Sequence, residues 1–356
     1  MVQMLRQGKA AYSVEKLDDH ILNERSAGET CFMYNANEQY LVYGVCQHDS
    51  TDEYLLTRSL NIYDYKNGAL IQSIPFIEDS YVGDAILNGN KLYYSKVPLV
   101  SITADSAVWE IHEIDVGKDA FVDKIRQRGT SSFCDYYPKF TSINNNVIFL
   151  CEDMERESEF TFGCKTINDE DIITLFSQRK FIEDADQRTC LLSHEIKSNG
   201  QTAFFFLYED GDLFYVFIDG NGIKSKTLFT DRMYHCGMIK DGLMISQVVN
   251  EEQSGKYYQV SVVSDAGQAD SYLDLNREPY YRFLSTHENH SMAINRSFNL
   301  YLFEYKDNEM KRTRISLDPT IDALSPIALY VGDECYLIAS YYPDESITMH
   351  LVTISP

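Results

Sequence analysis

A unit of about 49 residues that occurs seven times along the chain constrains the fold more than any other sequence feature. In each copy a short strand pattern is followed by a polar turn and a longer apolar strand pattern. The first apolar residues of the copies are Phe32, Ala85, Phe140, Ile196, Met238, Phe283 and Ile327. Because a fixed period of about 20–50 residues marks a repeat architecture, we predict an array of similar units.

A second hairpin pattern follows most copies of the first. It consists of an apolar strand, a turn rich in Asp, Asn and Gly, and another strand, as in the segments that begin at Leu60 and Asp212. Asn-Gly and Asp-Gly steps supply the positive φ that tight hairpin turns require. Two hairpins in each repeat therefore predict one four-stranded antiparallel sheet per repeat.

A period of this length with four strands per repeat resembles the β-propeller superfamily, and the resemblance covers nearly the whole chain. It implies blades that pack face to face around one axis. We therefore predict a single all-β domain, a seven-bladed β-propeller, with a ring of six or eight blades as the alternative if one repeat is misassigned. The approximate blades are 31–78, 79–130, 131–190, 191–232, 233–277, 278–320 and 321–356 together with 9–17.

The two ends of the chain predict how the ring closes. The last repeat, from Ile327 onward, has room for three strands rather than four, whereas residues 9–17 alternate like one strand before the first repeat begins. We expect this N-terminal segment to be the outer strand of the last blade, since sharing a sheet between both termini protects its edge. The sequence carries no WD40, kelch or sialidase motif, so the resemblance implies a fold and no particular function.

The charge of the chain argues against two classes of partner. It has 31 Lys and Arg against 54 Asp and Glu, a net charge of −23. Such a surface repels phosphate backbones and anionic lipids, so we predict no binding to nucleic acid or membrane. The N-terminus lacks the apolar core of a secretory signal, and no run of about 18 apolar residues is present. We expect a cytoplasmic protein.

Motifs for cofactors and metals are absent from the sequence. None of the eight cysteines is separated from another by only two residues, and we expect buried, reduced thiols. No glycine-rich phosphate loop, GxGxxG or GxSxG occurs, so we predict no cofactor. The only trio with metal-ligand chemistry, His194, Glu195 and His235, includes strand neighbours that point in opposite directions, and we predict no metal. His287 and His290 are expected to face solvent in a turn.

Charged side chains cluster where the innermost strands of the predicted blades begin. In a propeller these strands line the central channel, so residues distant in sequence meet at its mouth. The candidate ligand-binding residues are Asp84, Lys139, His194, Glu195, His235 and Arg282. This mixture of charges suits a zwitterionic or polyhydroxylated ligand. The alternative is that these groups only pair with one another and with water.

A closed ring without a recognisable catalytic motif favours a binding or scaffold propeller that mediates protein or small-ligand interaction. The alternative is a hydrolase or lyase that acts on a sugar or peptide at the channel mouth. The two differ in what the channel must contain. An enzyme needs convergent titratable groups in a pocket, whereas a scaffold needs an exposed contact surface.

Overall fold

The computed structural model of the chain is built almost entirely of β-strands. The residues that the structure describes are 2–48, 55–103, 106–117, 122–132, 136–156, 159–168, 171–179, 191–198, 201–209, 212–219, 221–229, 233–239, 242–251, 255–264, 269–274, 281–287, 289–317, 326–342 and 346–355. They form seven separate sheets. Each sheet has four antiparallel strands, and two of the sheets have a fifth, parallel strand at the outer edge.

The N-terminal segment and the first three sheets follow in chain order. Before the first sheet lie β1 (Val2–Met4), β2 (Arg6–Gln7), β3 (Tyr12–Lys16) and the short helix α1 (His20–Asn23). Sheet 1 contains β4 (Glu29–Ala36), β5 (Tyr40–His48), β6 (Leu55–Asp64) and β7 (Ala69–Pro75). Sheet 2 contains β8 (Ser80–Asn88), β9 (Lys91–Pro98), the 3-10 turn Leu99–Ser101, β10 (Ala107–Asp115) and β11 (Lys124–Ser131). Sheet 3 contains β12 (Lys139–Ile143), β13 (Asn146–Arg156), β14 (Glu159–Ile167) and β15 (Ile172–Arg179).

The remaining four sheets follow the same order. Sheet 4 contains β16 (Leu191–Ser198), β17 (Ala203–Glu209), β18 (Asp212–Asp219) and β19 (Gly222–Phe229). Sheet 5 contains β20 (Met233–Ile239), β21 (Gly242–Glu251), β22 (Gly255–Ser264) and β23 (Ala269–Asp274). Sheet 6 contains β24 (Arg282–His287), β25 (His290–Ile294), β26 (Leu300–Lys306) and β27 (Glu309–Ile315). Sheet 7 contains β28 (Ile327–Gly332), β29 (Cys335–Tyr341), β30 (Ile347–Ile354) and β3.

The innermost strands, which come first in each sheet along the chain, form a cycle of contacts. Strand β4 contacts β8, and the contacts continue through β12, β16, β20 and β24 to β28, which contacts β4 again. Each described apolar core lies between two neighbouring sheets, as Val42 and Leu60 of sheet 1 pack with Val82 and Leu92 of sheet 2. The prediction of an all-β propeller with four-stranded antiparallel blades is confirmed.

The N-terminal segment runs along the outer edges of three sheets. Strand β1 pairs in parallel with β23, and β2 pairs in parallel with β27. Strand β3 then pairs antiparallel with β30, with Tyr12 opposite Ile354 and Lys16 opposite His350. Tyr12 and Val14 pack against the core between sheets 6 and 7. The segment therefore covers strand edges that would otherwise present unpaired backbone groups.

Helix α1 joins the last sheet to the first. The side-chain amide of Asn23 donates to the carbonyl of Ile347 at 2.9 Å and accepts from the amide nitrogen of Ile347 at 2.9 Å. Leu22 is completely buried in the core between sheets 7 and 1. Helix α1 thus contributes two hydrogen bonds to the backbone of β30 and apolar contacts between sheets 7 and 1.

The cysteines that the structure describes are all free thiols, and five of the six are buried. Cys134 and Cys190 lie outside the described residues. Among the described residues, no helix has the length and apolar character needed to cross a membrane.

The buried His112 of β10 contacts two carboxyl groups, one in its own strand and one in the segment before β11. His112 places Nδ1 2.7 Å from an oxygen of Asp123 and Nε2 3.1 Å from an oxygen of Glu110. Its ring stacks on Tyr94, whose hydroxyl donates to Asp123 at 2.9 Å. Burial alone would raise the pKa of both carboxyl groups, but hydrogen bonds from His112 and from Arg128 or Tyr94 outweigh it and hold each pKa below its ordinary value.

Two N-terminal deletions separate the contribution of β3 from those of β1 and β2. Removing residues 1–17 takes away the antiparallel outer strand of sheet 7, so we expect a large fall in melting temperature. Removing residues 1–8 takes away only the two short parallel strands, and we expect a fall of a few degrees. Thermal unfolding followed by circular dichroism measures both. Equal melting temperatures for the two truncated chains would contradict a closing role for β3.

Replacing His112 by Phe tests the buried cluster. The change removes the two ring nitrogens that lie within hydrogen-bond distance of Asp123 and Glu110. We expect a loss of about 2 kcal/mol at neutral pH, as for hydrogen bonds to charged groups. Because the pKa of each carboxyl is lowered in the folded state, this stabilisation is complete above their ordinary values of 3.8 and 4.5 and is lost as pH falls through the lowered values. Urea unfolding at several pH values should show the difference from wild type shrinking in acid.

Candidate functional site

Among the residues that the structure describes, the inner strands line two cavities of the central channel, one after the other along the strands. The proximal cavity lies toward the N-terminal ends of these strands and has a volume of about 230 Å³. The distal cavity lies toward their C-terminal ends and has a volume of about 780 Å³. Both use β4, β8 and β12, with the proximal cavity taking the earlier residues of each strand.

The proximal cavity brings together two of the predicted ligand-binding residues. Its lining consists of Phe32, Met33, Tyr34, Gly83, Asp84, Tyr137, Lys139 and Ile196. The ammonium group of Lys139 lies 5.8 Å from the centre of the Tyr137 ring. A Cβ atom at Gly83 would lie 2.2 Å from that ring, so the aromatic wall requires glycine here. Burial raises the pKa of Tyr34, whose neutral hydroxyl donates to the carbonyl of Val82 at 3.0 Å.

Asp84 connects two sheets through backbone hydrogen bonds. One carboxylate oxygen accepts from the amide nitrogen of Phe140 in β12 at 2.7 Å, and the other accepts from that of Ala85 at 2.9 Å. Asp84 lies in the middle of β8, just after an irregularity in the pairing with β9, rather than at the start of the strand. Because the Asp84 carboxylate already accepts two backbone hydrogen bonds, its main role is to stabilise the junction between sheets 2 and 3.

The other four predicted site residues are not among the described residues that line the proximal cavity. Arg282 is the first residue of β24, and its side chain is exposed. His194 and Glu195 lie in β16 and His235 in β20, but their side chains are outside the part of the chain that the structure describes. The predicted convergence of all six residues therefore remains a prediction.

The distal cavity was not predicted from the sequence. Six of the seven inner strands contribute to it, through side chains that are mostly uncharged. Its lining consists of Asn35, Ala36, Asn37, Glu38, Gln39, Tyr40, Ile86, Leu87, Phe140, Thr141, Ser142, Asn145, Ser198, Ser285, His287, Leu329, Tyr330, Val331 and Gly332. Its volume lies within the range of about 300–1,000 Å³ that is common for small-molecule sites.

Three lining side chains join neighbouring blades. The Asn35 carbonyl oxygen accepts from the amide nitrogen of Leu87 at 3.1 Å. Ser198 donates to the carbonyl of Ser142 at 2.7 Å, and the Ser285 hydroxyl accepts from the amide nitrogen of Tyr330 at 2.9 Å. These contacts fix the backbone around the cavity.

An aromatic pair forms one wall of the distal cavity. The rings of His287 and Tyr330 are nearly parallel, at 7°, with their centres 3.8 Å apart. The expectation that His287 faces solvent in a turn is wrong, because the residue ends β24 and is half-buried against Tyr330. His290, the first residue of β25, is also half-buried and places Nδ1 3.4 Å from Glu334.

A repeated serine was the available sequence signal for the distal cavity. Ser142, Ser198 and Ser285 each stand two residues after the first apolar residue of their repeat. Charged residues at the strand starts instead predicted a site at the opposite end of the channel. The serines recur at one position of the repeat. This recurrence predicts a shared polar cavity only once the inner strands are known to surround a common axis.

The described lining of the distal cavity is mostly uncharged. Within the described part of the chain, its lining includes neither Lys nor Arg, and Glu38 is its one carboxylate. The described residues include no group of three or more His, Cys, Asp and Glu side chains arranged to hold a metal ion. The lining offers amide, hydroxyl, carboxylate and aromatic groups, which can bind and orient a ligand.

Comparisons with known proteins identify the fold. No family model matches the sequence, and no curated protein matches it. A chain from the crystal structure of a mitotic checkpoint complex superposes with a TM-score of 0.52 at 10% identity, covering 99% of this chain and 94% of that one. Virginiamycin B lyase from Staphylococcus aureus, solved with quinupristin, gives 0.55 at 10% identity, covering 97% and 100%. Sqt1 from Saccharomyces cerevisiae gives 0.50 at 10% identity, covering 100% and 98%.

At this level of identity the similarity shows a shared fold and does not carry an activity from one protein to another. These three structures include a member of a multiprotein complex and a lyase. The chain therefore has the β-propeller fold.

Replacing Asp84 by Asn tests whether this residue joins the blades. The amide has one oxygen acceptor in place of two charged ones, so we expect a loss of about 1–2 kcal/mol in unfolding free energy. Asp79→Asn is the matched control, since Asp79 is exposed and pairs only with Arg58 in the described structure. Chemical denaturation measures both variants. A D84N protein as stable as D79N would contradict the structural role of Asp84.

Proposed function

We propose that the protein is a non-enzymatic binding propeller that uses its central channel to hold a protein segment or a small polar ligand. The observation that carries the proposal is the distal cavity, a space of about 780 Å³ lined by six inner strands. Side chains from distant parts of the chain converge there, as in binding sites formed between repeated structural units. The propellers found in multiprotein assemblies are compatible with such a role.

The lining also favours binding over catalysis. Covalent catalysis by Ser or Thr requires an activating base within hydrogen-bond reach. Ser198 instead donates to a backbone carbonyl, and the Ser285 hydroxyl accepts from a backbone amide nitrogen. Acid–base catalysis at a glycosidic bond generally uses two carboxyl groups, and among the described lining residues only Glu38 has one.

The proposal includes a seven-bladed ring that is closed by Tyr12–Lys16. Its support is the cycle of contacts among the inner strands and the five paired residues between β3 and β30. A closed ring keeps the channel walls in fixed positions, which lowers the conformational cost of binding. The net charge of −23 supports partners other than nucleic acid or anionic membranes, and the free cysteines fit a reducing compartment such as the cytoplasm.

A channel-filling substitution tests the proposed function. Thr141 lines the distal cavity and is half-buried, so Thr141→Trp should place an indole in the binding space. Thr174→Trp is the matched control, since Thr174 is exposed on the outer strand of the same sheet. We expect wild type and T174W to retain the same bound proteins or small molecules after affinity purification, and T141W to lose them. Mass spectrometry identifies and quantifies the bound species.

Two outcomes would contradict the proposal. If T141W retains every species that T174W retains while both proteins are folded, the channel is not the binding site. If the wild-type protein converts a retained molecule into a product, the hydrolase or lyase alternative replaces the binding function. Circular dichroism verifies that both tryptophan variants keep their β-sheet spectrum.

A further inference from the structure

We propose that the distal cavity binds a neutral oligosaccharide. This inference rests on the proposed binding function and specifies the ligand. Its basis is a set of polar groups in the cavity wall that the described structure leaves without protein partners, together with the His287–Tyr330 aromatic pair of the same lining. Together they match the chemistry of a sugar, which presents many hydroxyl groups on a ring with apolar C–H faces.

The available polar groups include both donors and acceptors. Asn35 uses its carbonyl oxygen on Leu87, and within the described residues its amide NH₂ has no protein partner. In the same part of the structure, the hydroxyls of Thr141 and Ser142 and the side chains of Asn145 and Glu38 make no hydrogen bond to protein. Amide and hydroxyl groups can both donate and accept, and a carboxylate accepts. A sugar hydroxyl, which also does both, can therefore be paired from several sides.

The charge of the lining selects against acidic ligands. No Lys or Arg side chain is present among the described residues of the cavity wall, whereas Glu38 contributes a negative charge. Phosphorylated, sulfated or carboxylated ligands would need cationic partners to offset the cost of losing water. The cavity therefore favours a neutral molecule, and the polar part of that molecule must be bound by uncharged groups and one carboxylate.

The lining of the same cavity also contains apolar and aromatic groups. His287 and Tyr330 stack with their centres 3.8 Å apart, which restricts the orientation of both rings at the cavity wall. Ile86 and Leu87 on β8 and Phe140 on β12 add buried apolar groups to the lining. The C–H faces of a pyranose ring can lose water against such surface while its hydroxyls reach the amides.

The turn between β12 and β13 provides a closely matched pair of variants. Asn144 and Asn145 both have positive φ, at 47° and 64°, so glycine can replace either without backbone strain. Asn145 lines the distal cavity, and Asn144 does not. Asn145→Gly thus removes a cavity amide, whereas Asn144→Gly makes the same chemical change in the same turn outside the cavity. Thr141→Val and Thr174→Val form a second pair, which removes a hydroxyl inside and outside the cavity.

The experiment measures binding of neutral trisaccharides by isothermal titration calorimetry and saturation-transfer NMR. The probes are maltotriose, cellotriose, mannotriose, xylotriose and the β-1,4 trimer of N-acetylglucosamine, with glucose 6-phosphate as the anionic comparison. We expect at least one trisaccharide to bind wild type and glucose 6-phosphate not to bind. N145G and T141V should each raise the dissociation constant about tenfold, because each variant loses one hydrogen bond to the sugar. N144G and T174V should bind like wild type.

The outcomes distinguish this inference from the proposed function. If no probe binds wild type, or if N145G and T141V bind like their controls, the oligosaccharide site is wrong, whereas loss of retained partners in T141W would still support a binding channel. If the partner that wild type retains and T141W loses proves to be a peptide, the sugar assignment is likewise wrong. A trisaccharide that is bound and cleaved would instead overturn the non-enzymatic function.

Discussion

The edge of each inner strand imposes the constraint on which the rest of this structure depends. A first strand pairs with its own sheet on one side only, so backbone groups on the other edge need partners from elsewhere. Side chains of neighbouring blades supply them: Asn35 for Leu87, Asp84 for Phe140 and Ser285 for Tyr330. The hydroxyls of Thr57 and Ser246 do the same for the amide nitrogens of Val82 and Tyr281. Blade-to-blade geometry is therefore set by directional hydrogen bonds as well as by apolar packing.

The same constraint explains why the channel is polar. The side chains that accept from these backbone amide nitrogens belong to Asn, Asp, Ser and Thr, and they bring additional donors and acceptors with them. Lys197 extends this pattern across blades, since its ammonium group donates to the carbonyls of Cys236 and Phe283 at 3.0 and 3.5 Å. A channel built in this way is lined by groups that suit polar ligands, while the apolar cores lie farther out between the sheets.

Sequence patterns predicted the architecture well because each repeat carries its own signals. The alternation of strands and the Asn, Asp and Gly turns act locally, as at Asn144 and Asn145, whose positive φ values make a two-residue hairpin turn. The candidate site was less accessible to such patterns. Asp84 and Lys139 do line one cavity, but the larger space lies at the other end of the same strands. The parallel strands β1 and β2 were also missed, since segments of two or three residues show no periodicity.

The sequence by itself determined that this chain forms repeated four-stranded antiparallel sheets, because strand periodicity and turn chemistry are properties of neighbouring residues. Only the tertiary structure decided which polar residues meet. Asn35, Thr141 and His287 belong to three different repeats, and their common cavity exists because the inner strands run in the same direction around one axis. A one-residue change in register would turn each side chain to the opposite face, so the assembly of blades rather than the pattern within each blade places these groups together.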